Sequence, residues 1–254
     1  MTTKTFRRAA FVAALLPLAL ALVACGKKDG DSAAPTSAGP IAKIVPPAGK
    51  AWTDVVTVTP EGGYLMGNPA APIKLVEYGS LTCPHCAKLS QESFVPLTSK
   101  YVASGRVSYE FRSFAIHPQD VPLTMLTRCA PTEVFFPLVE QIYTNFDAMN
   151  APYNDKPTID RAQAAMQLPP TQRWAAFSEI VGYTQFFAQR GIPADKAKSC
   201  LADMTLAKQV ADQSAKYGEA GIDSTPTVLI NDAKIDVKDS WASLEPALQN
   251  AGAR

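Results

Sequence analysis

Hydrophobic positions fall along the chain in blocks of different period. An apolar run over residues 9–24 follows Lys4, Arg7 and Arg8. At that length it is too short for a comfortable membrane span, and its basic-then-apolar layout is that of a secretion signal. From residue 26 to about 50 the chain is Gly, Ser, Ala, Pro and Lys with hardly a large apolar residue, which predicts a flexible tether. Residues 55–59 and 64–66 flank Pro60-Glu61-Gly62-Gly63 and predict an opening strand or hairpin; residues 73–78 read as a strand ending at Gly79. The spacing then becomes helical. Cys86, Leu89, Phe94, Leu97 and Tyr101 roughly share one face of a helix predicted from Pro84 to about Ala103, kinked at Pro96. Residues 107–114 alternate as a strand. From about 118 to 221 the pattern is helical almost throughout, broken at Pro152, Pro169-Pro170 and Gly191-Ile192-Pro193. Strand character returns at 227–231 and 234–237, before a last helix over about 239–250. The order is βαβ, a helical block, then ββα.

Composition narrows the classes. With 254 residues, 47% of them apolar and 19% charged, the chain can bury a real core. Its formal charge of +1 includes the three basic leader residues, so the remainder is slightly acidic and a nucleic-acid partner is not expected. Five cysteines are an odd number for an exported protein. They divide as one, two and two. The leader ends Leu22-Val23-Ala24-Cys25, which resembles the lipobox of bacterial lipoproteins; there the cysteine is lipidated and becomes the mature N-terminus. Ordinary cleavage after Ala19-Leu20-Ala21, with Cys25 an incidental thiol, is the competing reading.

The chemistry concentrates in Cys83-Pro84-His85-Cys86 at a strand-to-helix junction. A disulfide exchanger needs one thiolate that attacks and a second thiol that reaches back to release the mixed disulfide. Cys83 is expected at the helix N-terminus, where unpaired N–H groups and the positive dipole end favour its anion; Pro84 suits the first helical position. Cys86, one turn in, is expected to be the resolving thiol. The dipole contributes about 0.3–1 kcal/mol, and one pKa unit is about 1.4 kcal/mol, so a larger depression needs direct hydrogen bonds and His85. A purely structural disulfide or half of a zinc site are the competing readings. Zinc would require a second Cys-x-x-Cys or a histidine pair, and the only histidines are His85 and His117; no metal is expected, and His117 is expected to be a loop residue. A second signal, Gly221-Ile222-Asp223-Ser224-Thr225-Pro226-Thr227, places a proline directly before an apolar strand.

Val76-Glu77-Tyr78 leading to the Cys-Pro-His-Cys motif, the long helical block, and the Thr225-Pro226 segment before the final strands together resemble the DsbA-like thioredoxin-fold family over about residues 67–251. The resemblance implies an α/β thioredoxin fold, a central mixed β-sheet flanked by helices, with a helical insertion between the βαβ and ββα halves. The divisions it suggests are a lipoprotein signal peptide at 1–24, lipidated Cys25 and tether at 25–50, the first half at 51–117, the insertion with a returning helix at 118–221, and the second half at 222–254. It also implies a cis Thr225-Pro226 bond beside the active sulfurs, with the Thr225 backbone free to pair with an extended substrate. Glu77 falls where the family often has a partly buried acid beneath the disulfide; a solvent-facing strand position is the alternative. Implied activity is oxidation of reduced or unfolded exported proteins, with no cofactor beyond the redox-active cysteines and re-oxidation by a DsbB-type membrane oxidase. Threonine before the proline, where the strongest oxidant has valine, is shared with isomerase and reductase relatives and leaves those roles open, as does a non-catalytic holdase or copper carrier. A monomer on the periplasmic side of a bacterial membrane, anchored through lipid on Cys25, is expected. In such an oxidising compartment Cys129 and Cys200 are expected to form a structural disulfide, the alternative being two buried free thiols.

Overall fold

The computed structural model describes residues 39–254. The leader, Cys25 and the first part of the tether lie outside the described residues.

A hairpin of β1 (Val56–Val58) and β2 (Tyr64–Gly67) opens the fold, followed by β3 (Ile73–Gly79), α1 (Pro84–Pro96) and β4 (Val107–Ser113). The helical block comprises α2 (Asp120–Arg128), α3 (Phe135–Thr144), α4 (Phe146–Asn150), α5 (Lys156–Ala165), α6 (Pro170–Ile180), α7 (Tyr183–Ala188), α8 (Ala194–Leu201) and α9 (Met204–Glu219). The chain closes with β5 (Thr227–Ile230), β6 (Ala233–Ile235) and α10 (Trp241–Asn250). The six strands form one sheet in the order β1-β2-β4-β3-β5-β6, in which β3 and β4 are parallel and every other pair antiparallel. This is the thioredoxin arrangement with a helical insertion.

β3 lies inside the sheet, and every one of its side chains except Lys74 is buried. Because a strand turns successive side chains to opposite faces, Ile73 and Leu75 enter the main core with Cys86, Leu89 and Phe111. Val76 and Tyr78 pack on the other face with Phe114, Tyr217 and Ile222. Glu77 therefore occupies an otherwise apolar row, on the face that also carries Cys86.

Where a kink at Pro96 within one helix is expected, α1 instead ends there. Residues Leu97–Val102 continue as a π-helical turn, and the hydroxyls of Thr98 and Ser99 donate to the carbonyls of Phe94 and Val95 at 2.7 Å each. Proline has no N–H to continue the i→i−4 ladder, and beyond it the ladder widens to the π-helical pattern.

The tether expected to run to residue 50 ends sooner. Ile41 N–H donates to the Gly252 carbonyl and Ile44 N–H to Ser104, each at 2.9 Å, while the Trp52 indole donates to the Ile44 carbonyl at 2.8 Å. Two isolated isoleucines among prolines, alanines and glycines carry no periodicity, yet they suffice to lay an extended segment on the domain.

Candidate active site

Cys83 is the N-cap of α1, with extended backbone (φ −87°, ψ 123°), and Pro84 fills the first turn. Both thiols are free; Cys83 is 5% exposed and Cys86 fully buried. Their environments pull them apart. A hydrogen bond from Cys86 draws the Cys83 thiol down to about 5 against the opposing effect of burial, helped by the Thr225 side chain and by the backbone N–H groups of Cys86 and His85. Burial pushes the Cys86 thiol well up, and its hydrogen bond to Cys83 and the charge of Glu77 push the same way. The first cysteine is built to be an anion, the second to keep its proton.

The Thr225-Pro226 bond is cis, and the Cys83 thiol donates to the Thr225 carbonyl at 3.4 Å. Thr225 Oγ1 is buried with no other hydrogen-bond partner, so it is free to serve the thiolate. A motif 142 residues away in sequence thus closes one side of the site.

Glu77 is 5% exposed, not solvent-facing. Burial raises its carboxyl to about 7, with the Tyr109 hydroxyl opposing and the charge of Cys83 adding to the rise. Tyr109 donates to Glu77 Oε2 at 2.6 Å, and Oε1 is buried without a partner.

The turn before the nucleophile is clamped from the helical block. Ser80 Oγ donates to Asp120 Oδ2 at 2.9 Å; Thr82 N–H and Thr82 Oγ1 each donate to Oδ1 at 3.0 Å; and His117 N–H donates to Oδ2 at 3.0 Å. Tyr143 on α3 adds a hydrogen bond to the Ser80 carbonyl at 3.0 Å. Asp120 is 1% exposed, and burial raises its carboxyl despite these donors. His117 lies in the loop before α2, with Nδ1 3.1 Å from Thr82 Oγ1.

His85 departs from its expected role. Its backbone N–H favours the Cys83 thiolate, but its imidazole meets Asp239, Nδ1 to Oδ2 at 2.6 Å. Asp239, Tyr109 and Asp120 were not singled out from sequence. Tyr109 shares a strand face with Phe111 by simple alternation, and Asp120 opens a helix just after His117-Pro118-Gln119, so both carried a local signal; Asp239 looked like an ordinary helix-start residue.

Away from this centre, Cys129 at the end of α2 and Cys200 on α8 are joined as a disulfide, with Cα atoms 6.2 Å apart. Among the described residues no group of three or more His, Cys, Asp or Glu converges as a metal-ligand set, and no helix is long and apolar enough to cross a membrane.

A family model described as thioredoxin matches residues 59–250. A candidate protein-disulfide oxidoreductase of Rickettsia prowazekii is 35% identical over 77 residues, 30% of this chain and 28% of the relative. The match thus spans little more than a quarter of that relative's length. Disulfide bond formation protein D of Bacillus subtilis is 23% identical over 175 residues, covering 69% of this chain and 70% of that one. Among solved structures, a protein-disulfide isomerase from Novosphingobium aromaticivorans superposes with TM-score 0.67 at 28% identity, covering 72% of this chain and 94% of that one. Wolbachia pipientis alpha-DsbA1 gives TM-score 0.60 at 22% identity, covering 77% and 94%. With the paired thiols and the cis-proline in place, the chain belongs to the thioredoxin family, and its helical insertion gives it a DsbA-like fold.

Proposed function

We propose that the protein is a thiol-disulfide oxidoreductase that donates the Cys83–Cys86 disulfide to reduced cysteines of exported proteins. The observation that carries this reading is the opposed acidity of the two thiols, about 5 for Cys83 and well above the thiol range for Cys86. A substrate thiolate attacks Cys83 of the oxidised pair, a mixed disulfide forms, and Cys86 leaves and takes a proton, for which Glu77 is the nearby donor. A second substrate thiolate then attacks the substrate sulfur of the mixed disulfide and expels Cys83 as a thiolate. Two electrons pass from the substrate dithiol to the enzyme, which ends as a dithiol. A leaving thiol of low pKa departs readily and stabilises the reduced enzyme, which favours donation of the disulfide.

Return to the oxidised state then requires a membrane oxidant of DsbB type. In this reading the protein works on the periplasmic face of a bacterial membrane as a monomer, held by lipid on Cys25. Isomerisation or reduction is the second reading, favoured by Thr225 before the proline and by the likeness to a protein named a disulfide isomerase.

Equilibration with glutathione buffers, followed by comparison of a reduced and a scrambled disulfide protein as substrates, tests the direction. The donor reading expects faster oxidation of the reduced substrate. A potential as reducing as about −270 mV with faster rescue of the scrambled substrate replaces it with the isomerase or reductase reading.

A further inference from the structure

His85, between the two cysteines, is tied to a part of the chain that the motif does not foreshadow. Its Nδ1 lies 2.6 Å from Asp239 Oδ2, and Lys88, one turn along α1, places Nζ 2.8 Å from Asp239 Oδ1. Asp239 does not come from a regular element. Lys238 and Asp239 both take left-handed backbone (φ 43° and 47°), in a turn closed by the Ser240 N–H donating to the Val237 carbonyl at 2.9 Å. Two consecutive non-glycine residues in that region are costly, and such geometry persists where the surroundings over-determine it. The turn forms one wall of a groove of about 790 Å³ whose other walls include His85, Thr225 and Pro226. The imidazole is 67% exposed and the Asp239 side chain only 20%, so the carboxylate is the settled partner and the ring is drawn to it.

We propose that Asp239 is a positioning residue of the redox centre: it holds the His85 imidazole on the groove wall and supplies the counter-charge to Lys88, weakening the positive field at Cys83. The inference rests on the reading of Cys83 and Cys86 as a working redox pair. An imidazole free to turn toward Cys83 would favour its anion, as would an uncompensated ammonium one turn away. Asp239 cancels both. The other charged groups on this face are Lys234, which pairs with Asp223 at 3.5 Å, Asp236, which accepts the Lys238 N–H at 3.1 Å, Glu92, which accepts the Trp241 N–H at 3.1 Å, and the Lys238 side chain, which lines the same groove. The disulfide is therefore less oxidising than a Cys-Pro-His-Cys sequence would make it without this acid.

Asp239→Asn removes the charge, and Asp239→Gly removes it while relaxing the left-handed turn, so at least one variant folds as well as the parent. Thiolate absorbance of Cys83 against pH and equilibration with glutathione are read for both. The acid dissociation constant of Cys83 is expected to rise about threefold, the size of a screened surface interaction. The glutathione equilibrium is expected to move toward the reduced form by about the same factor. A merely structural role would change unfolding and leave the thiolate midpoint alone. Exchange that proceeds while both variants keep the parent's midpoint and equilibrium, or shift them the other way, overturns the role of Asp239 alone. A parent that never exchanges with glutathione overturns the oxidoreductase reading and this inference with it.

Discussion

Two cysteine pairs share this chain and differ in almost everything except the element. Cys83 and Cys86 stand at the start of one helix, with a buried acid on the strand beneath and a cis-proline loop alongside. Cys129 and Cys200 lie 71 residues apart, where the end of α2 meets α8. Around the first pair the surroundings separate the two sulfurs in acidity, so that one leaves easily and the other holds a proton. Around the second, each cysteine ends or lies within a helix of the insertion, and its bond constrains the chain. Reactivity here belongs to the neighbours of a thiol, and a cysteine count alone would not have told the pairs apart.

The sharpest way to break that comparison is to remove one member of each pair. Cys83→Ala is expected to bring insulin reduction down to the uncatalysed rate, whereas the Cys129→Ala/Cys200→Ala variant should keep the parent rate. Loss of activity in the latter would mean the pairs are not independent. The same double variant is expected to lose up to about 4 kcal/mol of unfolding free energy, the chain-entropy value for a loop of this length, read by urea denaturation without reductant. A thiolate midpoint near 5 that stays in place in that variant would sharpen the division of labour.

Glu77 provides the next test, through pH. Its folded carboxyl titrates near 7 against an ordinary 4.5, so its contribution to stability is fully present below 4.5 and is lost as pH rises through 7. Reduced wild type should therefore lose about 3 kcal/mol relative to Glu77→Gln between those limits, measured by denaturation at pH 4 and pH 8. A smaller effect is expected from Tyr109→Phe. Removing the hydroxyl that favours the charged carboxylate should move the Glu77 titration further up by roughly one unit, the worth of one buried hydrogen bond, visible in the protonated-carboxyl infrared band.

Much of the fold was legible because its signals are local. The strand periods of β3 and β4, the breaks at Pro152, Pro169-Pro170 and Gly191-Ile192-Pro193, and Pro84 after Cys83 all act within a few residues. The partners of the site are another matter. Asp120 reaches Thr82 across 38 residues and Asp239 reaches His85 across 154, and neither has a periodicity that would announce it. His85 was read by its place between the cysteines, whereas the direction of its ring is set by a turn near the other end of the domain. Residues 41–44 were read by composition, and composition does not register a segment held by two isoleucines and a few backbone hydrogen bonds.

The clamp on the turn before Cys83 has a consequence for how the family could diversify. Among the described residues, the hydrogen bonds that reach that turn from the helical block come from Asp120 at the start of α2 and Tyr143 at the end of α3. Helices α5 to α8 pack chiefly on one another and on α2. Changes on the outer surfaces of α5 to α7 therefore leave the hydrogen bonds that hold the turn before Cys83 in place. An engineer exchanging the helices beyond Thr144 should keep everything from His117 to that point and retain Cys200 on α8 as the partner of Cys129.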